Sequence, residues 1–374
     1  MFKEINIDGN LPHYEFPSIG QYPELIYSVN RRCTYTGNDV NGDPIYDKTL
    51  PKPKLKFIGT TKLHGTNAGI IIDFYNETIY FESKETIIYP GKDNAGFAAY
   101  LSTIQEEFVN MVVDNLGLNN TDFADKSMWE DNILAIYGEW CGGSIQKKVA
   151  LNQLEKMFVI LTATIRTRGK TESKNLDWFP IDEINKMKLT DKKVHNIYDF
   201  KTWEIEIDFE KHHESTNSII DLTLQVEDEC PFSKAFGKEG IGEGIVFTCI
   251  SRDYDTSEFW FKSKGVKHAN SKVITINPVD SDEVNRLIAI ANKITPAWRL
   301  EQMFNNTFDI INGGVVERSK ISNYLKAVVD DVIKEEQITL QEENVTIKEL
   351  TKYIGKISTN YFFMMEKEML TNPQ

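Results

Sequence analysis

No stretch of this chain approaches the roughly eighteen consecutive apolar residues that a membrane-spanning helix needs, so none is expected. The opening residues, "MFKEINIDGNLPHYEF", hold no apolar core of signal-peptide length. The expectation is a soluble, cytoplasmic protein. Cysteine is scarce: Cys33, Cys141, Cys230 and Cys249 are scattered, with no C-x-x-C pair and no histidine at finger spacing. That argues against a structural zinc site and against a disulfide framework. Positive charge is in deficit too. Against 56 Asp and Glu there are 42 Lys and Arg, a net charge of −14. Neutralising phosphates takes Lys and Arg, so the whole surface is not a nonspecific nucleic-acid binder.

What the chain does have is length and apolar content. Its 374 residues, 41% hydrophobic and 11% aromatic, suit a folded protein of two or three domains. The scarce positive charge is also unevenly spread. Between Thr256 and Ile274, Lys262, Lys264, Lys267 and Lys272 face only Glu258. Lys48, Lys52, Lys54 and Lys56 gather ahead of Lys62, while acid collects in "WEIEIDFE" and "DDVIKEEQ". An acidic body with a basic cleft fits a polyanionic ligand.

Periodicity divides the chain. Residues 1 to about 54 are turn-rich. "KFIGTTKL" and "NAGIIIDFYNETIYFES" read as a strand followed by a hairpin turning at Asn76-Glu77. "FAAYLSTIQEEFVNMVVDNLG" has helical spacing and stops at Gly117. "NILAIYGEW", "KMFVILTATIRT", "GEGIVFTCI" and "SEFWFKSKG" read as further strands, and residues 176 to 236 as helix and loop. Beyond about Asn277 come three amphipathic helical stripes, built on Val284 to Ile294, Ile321 to Val332 and Leu350 to Tyr361. Asp280 with Glu283, and Thr346 with Glu349, cap two of them. Trp298, after Pro296, is expected in the core. The fold class is α+β: an antiparallel-sheet domain over 1–275, then a helical C-terminal domain over 276–374.

Four short motifs carry the chemistry. In "TKLHGTNAG", Lys62 stands where a strand gives way to a glycine turn, a setting for a nucleophilic amine held in a cleft. Lys262 and Lys264 alternate on a strand and so share a face, where two point charges can hold a phosphate. Glu139 ends "ILAIYGE", and Glu243 sits between glycines in "GIGEGIVF". Either carboxylate can accept ribose hydroxyls or hold Mg2+ with its phosphates. Gly240-x-Gly242-x-Gly244 is not a dinucleotide fingerprint, because a strand rather than a helix follows it.

The order K-x-H-G-T-N, Y-G-E, E-G-I-V-F, F-K-S-K resembles the covalent nucleotidyltransferase superfamily of polynucleotide ligases and capping enzymes. "KLHGTN" is similar to the RNA ligase 2 type of phages and RNA-editing ligases, which have His where most other members have Asp. "GEWCGGSIQKKV" at 138–149 adds to the likeness, which covers about residues 55 to 275. The resemblance implies an ATP-grasp-like nucleotidyltransferase domain, in a protein that is phage-encoded if it follows those relatives. It further implies an ATP-dependent RNA ligase using Mg2+ (or Mn2+). Such an enzyme joins 3'-OH and 5'-phosphate RNA ends, in a nicked duplex or an RNA/DNA hybrid, as a monomer without membrane contact. Lys62 would be the nucleophile that takes up AMP. His64, Gly65 and Asn67 belong to the same motif, with Asn67 aiding the later steps. Lys84, where the family often has Arg, would lie near the ribose and the end to be joined. Glu139 would contact the ribose, Glu243 the metal, and Lys262 and Lys264 the α-phosphate. Phe158, Val159 and Leu161 are the candidates at the adenine slot. His268 is a lesser candidate for a phosphate contact. A GTP-dependent capping guanylyltransferase and an inactive nucleic-acid-binding protein on the same fold are the alternatives, with a DNA ligase less favoured.

Overall fold

The computed structural model describes residues 11–93, 95–116, 126–146, 148–174, 176–265, 267, 278–310 and 313–371. In chain order the strands are β1 (Gly20–Gln21), β2 (Tyr35–Asn38), β3 (Pro44–Tyr46), β4 (Lys54–Thr61), β5 (Thr66–Asp73), β6 (Thr78–Ser83), β7 (Ile87–Ile88), β8 (Asn132–Cys141), β9 (Met157–Thr167), β10 (Val194–Asn196), β11 (Thr202–Asp208), β12 (Gly244–Cys249) and β13 (Phe261–Lys264). The helices are α1 (Tyr22–Thr34), α2 (Phe97–Thr103), α3 (Gln105–Asn115), α4 (Ile181–Ile184), α5 (Thr216–Asp228), α6 (Pro231–Ala235), α7 (Ser281–Ile294), α8 (Ala297–Phe308), α9 (Ile321–Glu335), α10 (Gln337–Glu342) and α11 (Ile347–Thr371). The fold is α+β, with antiparallel pairing dominant and a helical C-terminal region. None of the described helices is long and apolar enough to cross a membrane.

The chain forms two compact units, one of Met1–Val29 with Lys54–Asn277, the other of Asn30–Pro53 with Pro278–Gln374. Residues 30–53 thus group with the C-terminal helices rather than with the body of the first unit. The turn-rich stretch before residue 54 also contains helix α1.

In the first unit a six-stranded sheet runs β10-β9-β8-β5-β6-β7 and a five-stranded sheet runs β1-β13-β12-β4-β11. The run Ile70-Ile71-Ile72 shows how the first sheet is filled. Side chains alternate across a strand. Ile70 and Ile72 pack with Phe97, Leu101, Phe108 and Val112 from α2 and α3, while Ile71 packs on the other face with Tyr14, Tyr80 and Tyr137. The second sheet buries Phe57, Phe247 and Phe261 against Ile219 and Val226 of α5. The Phe247 and Phe261 rings stack at 4.7 Å.

The hairpin turns where the sequence indicates, with Glu77 in left-handed backbone and Asp73 accepting from the Asn76 amide. The helix expected over 97–117 is two helices, broken at Ile104 after Thr103 turns its hydroxyl back onto the Tyr100 carbonyl. Gly117 lies outside the described residues. Strand β11 was not expected. Its acids dominate a reading of "TWEIEID", but Ile205 and Ile207 alternate with them, the pattern of a half-buried strand.

The second unit buries Leu287, Ala291 and Ile294 of α7, Tyr324, Val328 and Val332 of α9, and Leu350 and Ile354 of α11. These are the three stripes seen in the sequence. Asp280 caps α7 through the Glu283 amide, and Thr346 and Glu349 bond reciprocally at the start of α11. Trp298 is not in the core. It is 58% exposed on α8, with the Arg299 guanidinium over its ring.

Candidate functional site

Strand β4 ends one residue before Lys62, and β12 begins one residue after Glu243. The two strands pair antiparallel, so the ladder brings these two residues together. The Lys62 amide donates to the Gly244 carbonyl at 2.8 Å, and its Nζ donates to Glu243 Oε2 at 2.8 Å. Gly244 is obligatory here. Its φ is +148°, and a Cβ would meet the Ser263 carbonyl oxygen at 2.1 Å.

Glu243 is 2% exposed and organises the cations around it. Lys264 Nζ reaches its Oε1 at 2.5 Å, and His64 Nδ1 lies 3.2 Å from its Oε2. Burial by itself would raise the Glu243 carboxyl. The His64 hydrogen bond, the Lys62 charge and the Lys264 hydrogen bond outweigh burial and hold it well below the usual carboxylate range.

The turn after Lys62 is held from the other sheet. The Gly65 amide donates to Glu139 Oε1 at 2.8 Å, and Gln146 Nε2 donates to the Gly65 carbonyl at 3.2 Å. A Cβ on Gly65 would come within 2.4 Å of the Trp140 carbonyl oxygen, so only glycine lies this close to β8. Asn67 Nδ2 donates to the Gly138 carbonyl at 3.2 Å. Burial pushes the half-buried Glu139 carboxyl up to about 7, with Lys62 and the Gly65 amide opposing the rise.

Between the sheets lies a cavity of about 200 Å³, lined by Lys62, Asn67, Lys84, Glu139 and Lys262 on its charged side. Burial lowers the Lys262 ammonium, and the nearby Lys62, Lys264 and Lys84 lower it further. Lys84 is exposed and sits 3.5 Å from Ser18 Oγ. The nine motif residues Lys62, His64, Gly65, Asn67, Lys84, Glu139, Glu243, Lys262 and Lys264 therefore gather at one cleft or directly behind it.

Most other candidates do not. Lys54 pairs with Asp208, and Lys56 lies opposite Glu206 on β11, so these charges are answered at a sheet edge. Lys48 and Lys52 belong to the other unit. Phe158 is fully buried against Phe97, and Val159 is fully buried too, whereas Leu161 lines the cavity. Lys147, His268 and Lys272 lie outside the described residues.

Several wall residues escaped the sequence reading. Phe16 to Ile19 reach the cleft because β1 pairs in parallel with β13. Tyr198, Thr248 and Trp260 also line it. Thr248 had a signal, since it stands two residues after Val246 on a strand. The others depend on tertiary packing.

Among the described residues no three His, Cys, Asp or Glu side chains gather into a metal cage. A Mg2+ ion arriving with nucleotide phosphates needs only one or two protein carboxylates. Glu243, held ionised at the cleft, suits that role.

No curated protein matches this chain. Among solved structures it is similar to mutant forms of Naegleria gruberi RNA ligase. One, with AMP and Mn, is 15% identical over 70% of this chain and 60% of that one, with a TM-score of 0.39. Another, with ATP and Mn, is 16% identical over the same shares, also with a TM-score of 0.39. This chain thus spans about three-fifths of those ligases. The family model described as RNA ligase matches residues 55–264, more than half of the 374 residues and all of the cleft-forming motifs. The chain belongs to the RNA ligase family.

Proposed function

We propose that the protein is an ATP-dependent RNA ligase that joins a 3'-hydroxyl to a 5'-phosphate through a lysyl-AMP intermediate. The observation that carries this reading is the convergence of Lys62, Lys262 and Lys264 with Glu243 at one cleft. Family membership supports it.

The reaction would run in three displacements at phosphorus. The Lys62 amine attacks the α-phosphorus of ATP, an N–P bond forms, and pyrophosphate leaves. A terminal 5'-phosphate oxygen then attacks the same phosphorus, taking AMP and restoring the amine. Last, a 3'-hydroxyl attacks the activated 5'-phosphate, the phosphodiester forms, and AMP leaves. Such steps are catalysed by positioning and by neutralising charge as it develops. In this reading Lys262 and Lys264 would hold the α-phosphate, Glu139 the ribose, Lys84 the incoming end, and Glu243 Mg2+ or Mn2+. A cation held there would supply charge neutralisation on the phosphates. The amine needs its lone pair to attack, so the Lys62–Glu243 ion pair must open when the nucleotide enters.

The first unit would be the adenylyltransferase body. The helical region would guide the nucleic-acid ends, so removing residues 278–374 is expected to spare self-adenylylation and impair joining.

The test is intact mass after incubation with ATP and Mg2+, for wild type and Lys62→Ala. The expected result is a gain of one AMP, acid-labile and absent from the variant. A wild type that arrives unmodified and gains nothing from ATP would overturn the reading. Labelling by GTP alone would make it a guanylyltransferase.

A further inference from the structure

One wall of the cleft is a segment that starts on one sheet and ends on the other. Residues 12–15 are bonded to the six-stranded sheet almost peptide by peptide. The Tyr14 amide donates to Glu82 Oε1 at 2.8 Å, and the Tyr137 hydroxyl donates to the Tyr14 carbonyl at 2.6 Å. The Tyr80 hydroxyl donates to the Pro12 carbonyl at 2.9 Å. Arg166 Nη1 donates to the Tyr137 hydroxyl at 2.8 Å and to the Glu15 carbonyl at 3.3 Å. Tyr14, Glu82, Tyr137 and Arg166 are all buried. Phe16, Pro17, Ser18 and Ile19 come next and line the cleft. Gly20 and Gln21 then pair in parallel with Phe261 and Lys262 of β13, in the five-stranded sheet. An aromatic seam runs the same way. Phe16 packs on Tyr137 at 5.2 Å and on Trp178 at 6.0 Å, and Trp178 packs on Trp260 at 5.1 Å. This short strap therefore joins the sheet that carries Asn67 and Glu139 to the strand that carries Lys262 and Lys264.

We propose that Glu82 and Tyr137 are positioning residues for the reaction: their grip on the Tyr14 peptide holds the strap across the cleft and sets the spacing of its two charged walls. Neither side chain is among those that line the cavity, so each acts through Tyr14. Losing either bond leaves one group of a buried peptide unpaired, and lifting the strap towards water relieves that. The strap then no longer fixes β13 relative to the other sheet. A wall displaced by about 1 Å can cost a positioned reaction about a hundredfold. This inference rests on the reading of the cleft as an ATP site.

The test is single-turnover covalent labelling of the full chain by ATP, with the rate followed against ATP concentration, for wild type, Tyr137→Phe, Glu82→Leu and Glu82→Gln. Tyr137→Phe removes one oxygen atom, and Glu82→Leu removes the acceptor at similar volume. Each is expected to raise the ATP concentration for half-maximal rate at least about fivefold, while the labelled fraction at saturating ATP stays that of wild type. Glu82→Gln keeps an acceptor for the Tyr14 amide and is expected to retain the wild-type value. A purely structural role predicts a smaller labelled fraction at an unchanged half-maximal concentration. That result overturns the proposal, and so does an unchanged half-maximal concentration with full labelling. If Glu82→Leu does not fold, Tyr137→Phe decides. In each of these cases wild type labels, and the ATP-site reading stands. If wild type takes no label from ATP, the ATP-site reading fails and this proposal falls with it.

Discussion

The Nζ of Lys62 donates to Glu243 Oε2 at 2.8 Å although the two residues stand 181 positions apart in sequence. The same carboxylate also holds Lys264 and faces His64, so one buried anion gathers three basic side chains. In the free protein the Lys62 amine is engaged, and in the proposed mechanism its release is coupled to the negative charge that the nucleotide brings.

Glu243→Ala removes the carboxylate that Lys62, Lys264 and His64 share in a partly buried setting. It is expected to cost about 3 kcal/mol in urea unfolding, in the range for breaking a buried ion pair from one side. Adenylylation is expected to fall by more than about a hundredfold, a loss of over about 2.7 kcal/mol in transition-state stabilisation. Glu243→Gln, which keeps the shape and one acceptor, should lose less stability. A fully stable alanine variant would show that the cluster contributes nothing to folding.

Gly65 is held by hydrogen bonds at both its amide and its carbonyl, with backbone pressed against it. Gly65→Ala should displace the turn after Lys62 and lower single-turnover adenylylation at least about tenfold, with about 1–3 kcal/mol of destabilisation from overpacking. Gln146→Ala loses only one hydrogen bond, worth about 1 kcal/mol. Its effect should appear in the adenylylation rate rather than in the melting temperature.

The Glu139 carboxyl, raised by burial to about 7, is neutral in acid and ionised above neutrality. Only the ionised form accepts fully from both the Gly65 amide and a ribose hydroxyl. The rate of adenylylation at low ATP should therefore rise with pH through about 7, and Glu139→Gln should lose that inflection. A wild-type profile flat from about pH 6 to 8 would exclude this role.

Away from the site, Glu82 on β6 is 1% exposed, and burial pushes its carboxyl up to about 8. Its Oε1 accepts the Tyr14 amide, while Oε2 has no hydrogen-bond partner among the described residues. A carboxyl raised on folding contributes stability in full below its unfolded value, near 4.5, and loses it as pH rises through 8. Unfolding free energy should thus fall by a few kcal/mol at most between about pH 5 and 8.5. Glu82→Gln, always neutral, should flatten that decline. An identical slope in the variant would assign the pH dependence elsewhere.

The motifs themselves were legible in the sequence because each is local. Lys62 ahead of a glycine turn, Glu139 at a strand end, Glu243 between glycines and Lys262-x-Lys264 on one strand face all follow from neighbouring residues. The helical stripes and caps after residue 277 were legible for the same reason. Elements that depend on partners far along the chain were not. The acids of β11 hid a strand whose alternation matters only beside β4. Trp298 looked like core but lies on the exposed side of α8. Residues 30–53 join the C-terminal unit through packing that no local pattern announces. By itself the sequence determined which residues are the candidates for the chemistry and on which strands and turns they sit, because alternation and glycine conformations are short-range properties. The tertiary structure alone decided that these residues share one cleft, that Leu161 and not Phe158 faces it, and that Tyr198 and Thr248 line it as well. Those outcomes depend on the pairing of β4 with β12 and on the apposition of two sheets, which are fixed by contacts between residues far apart in the chain.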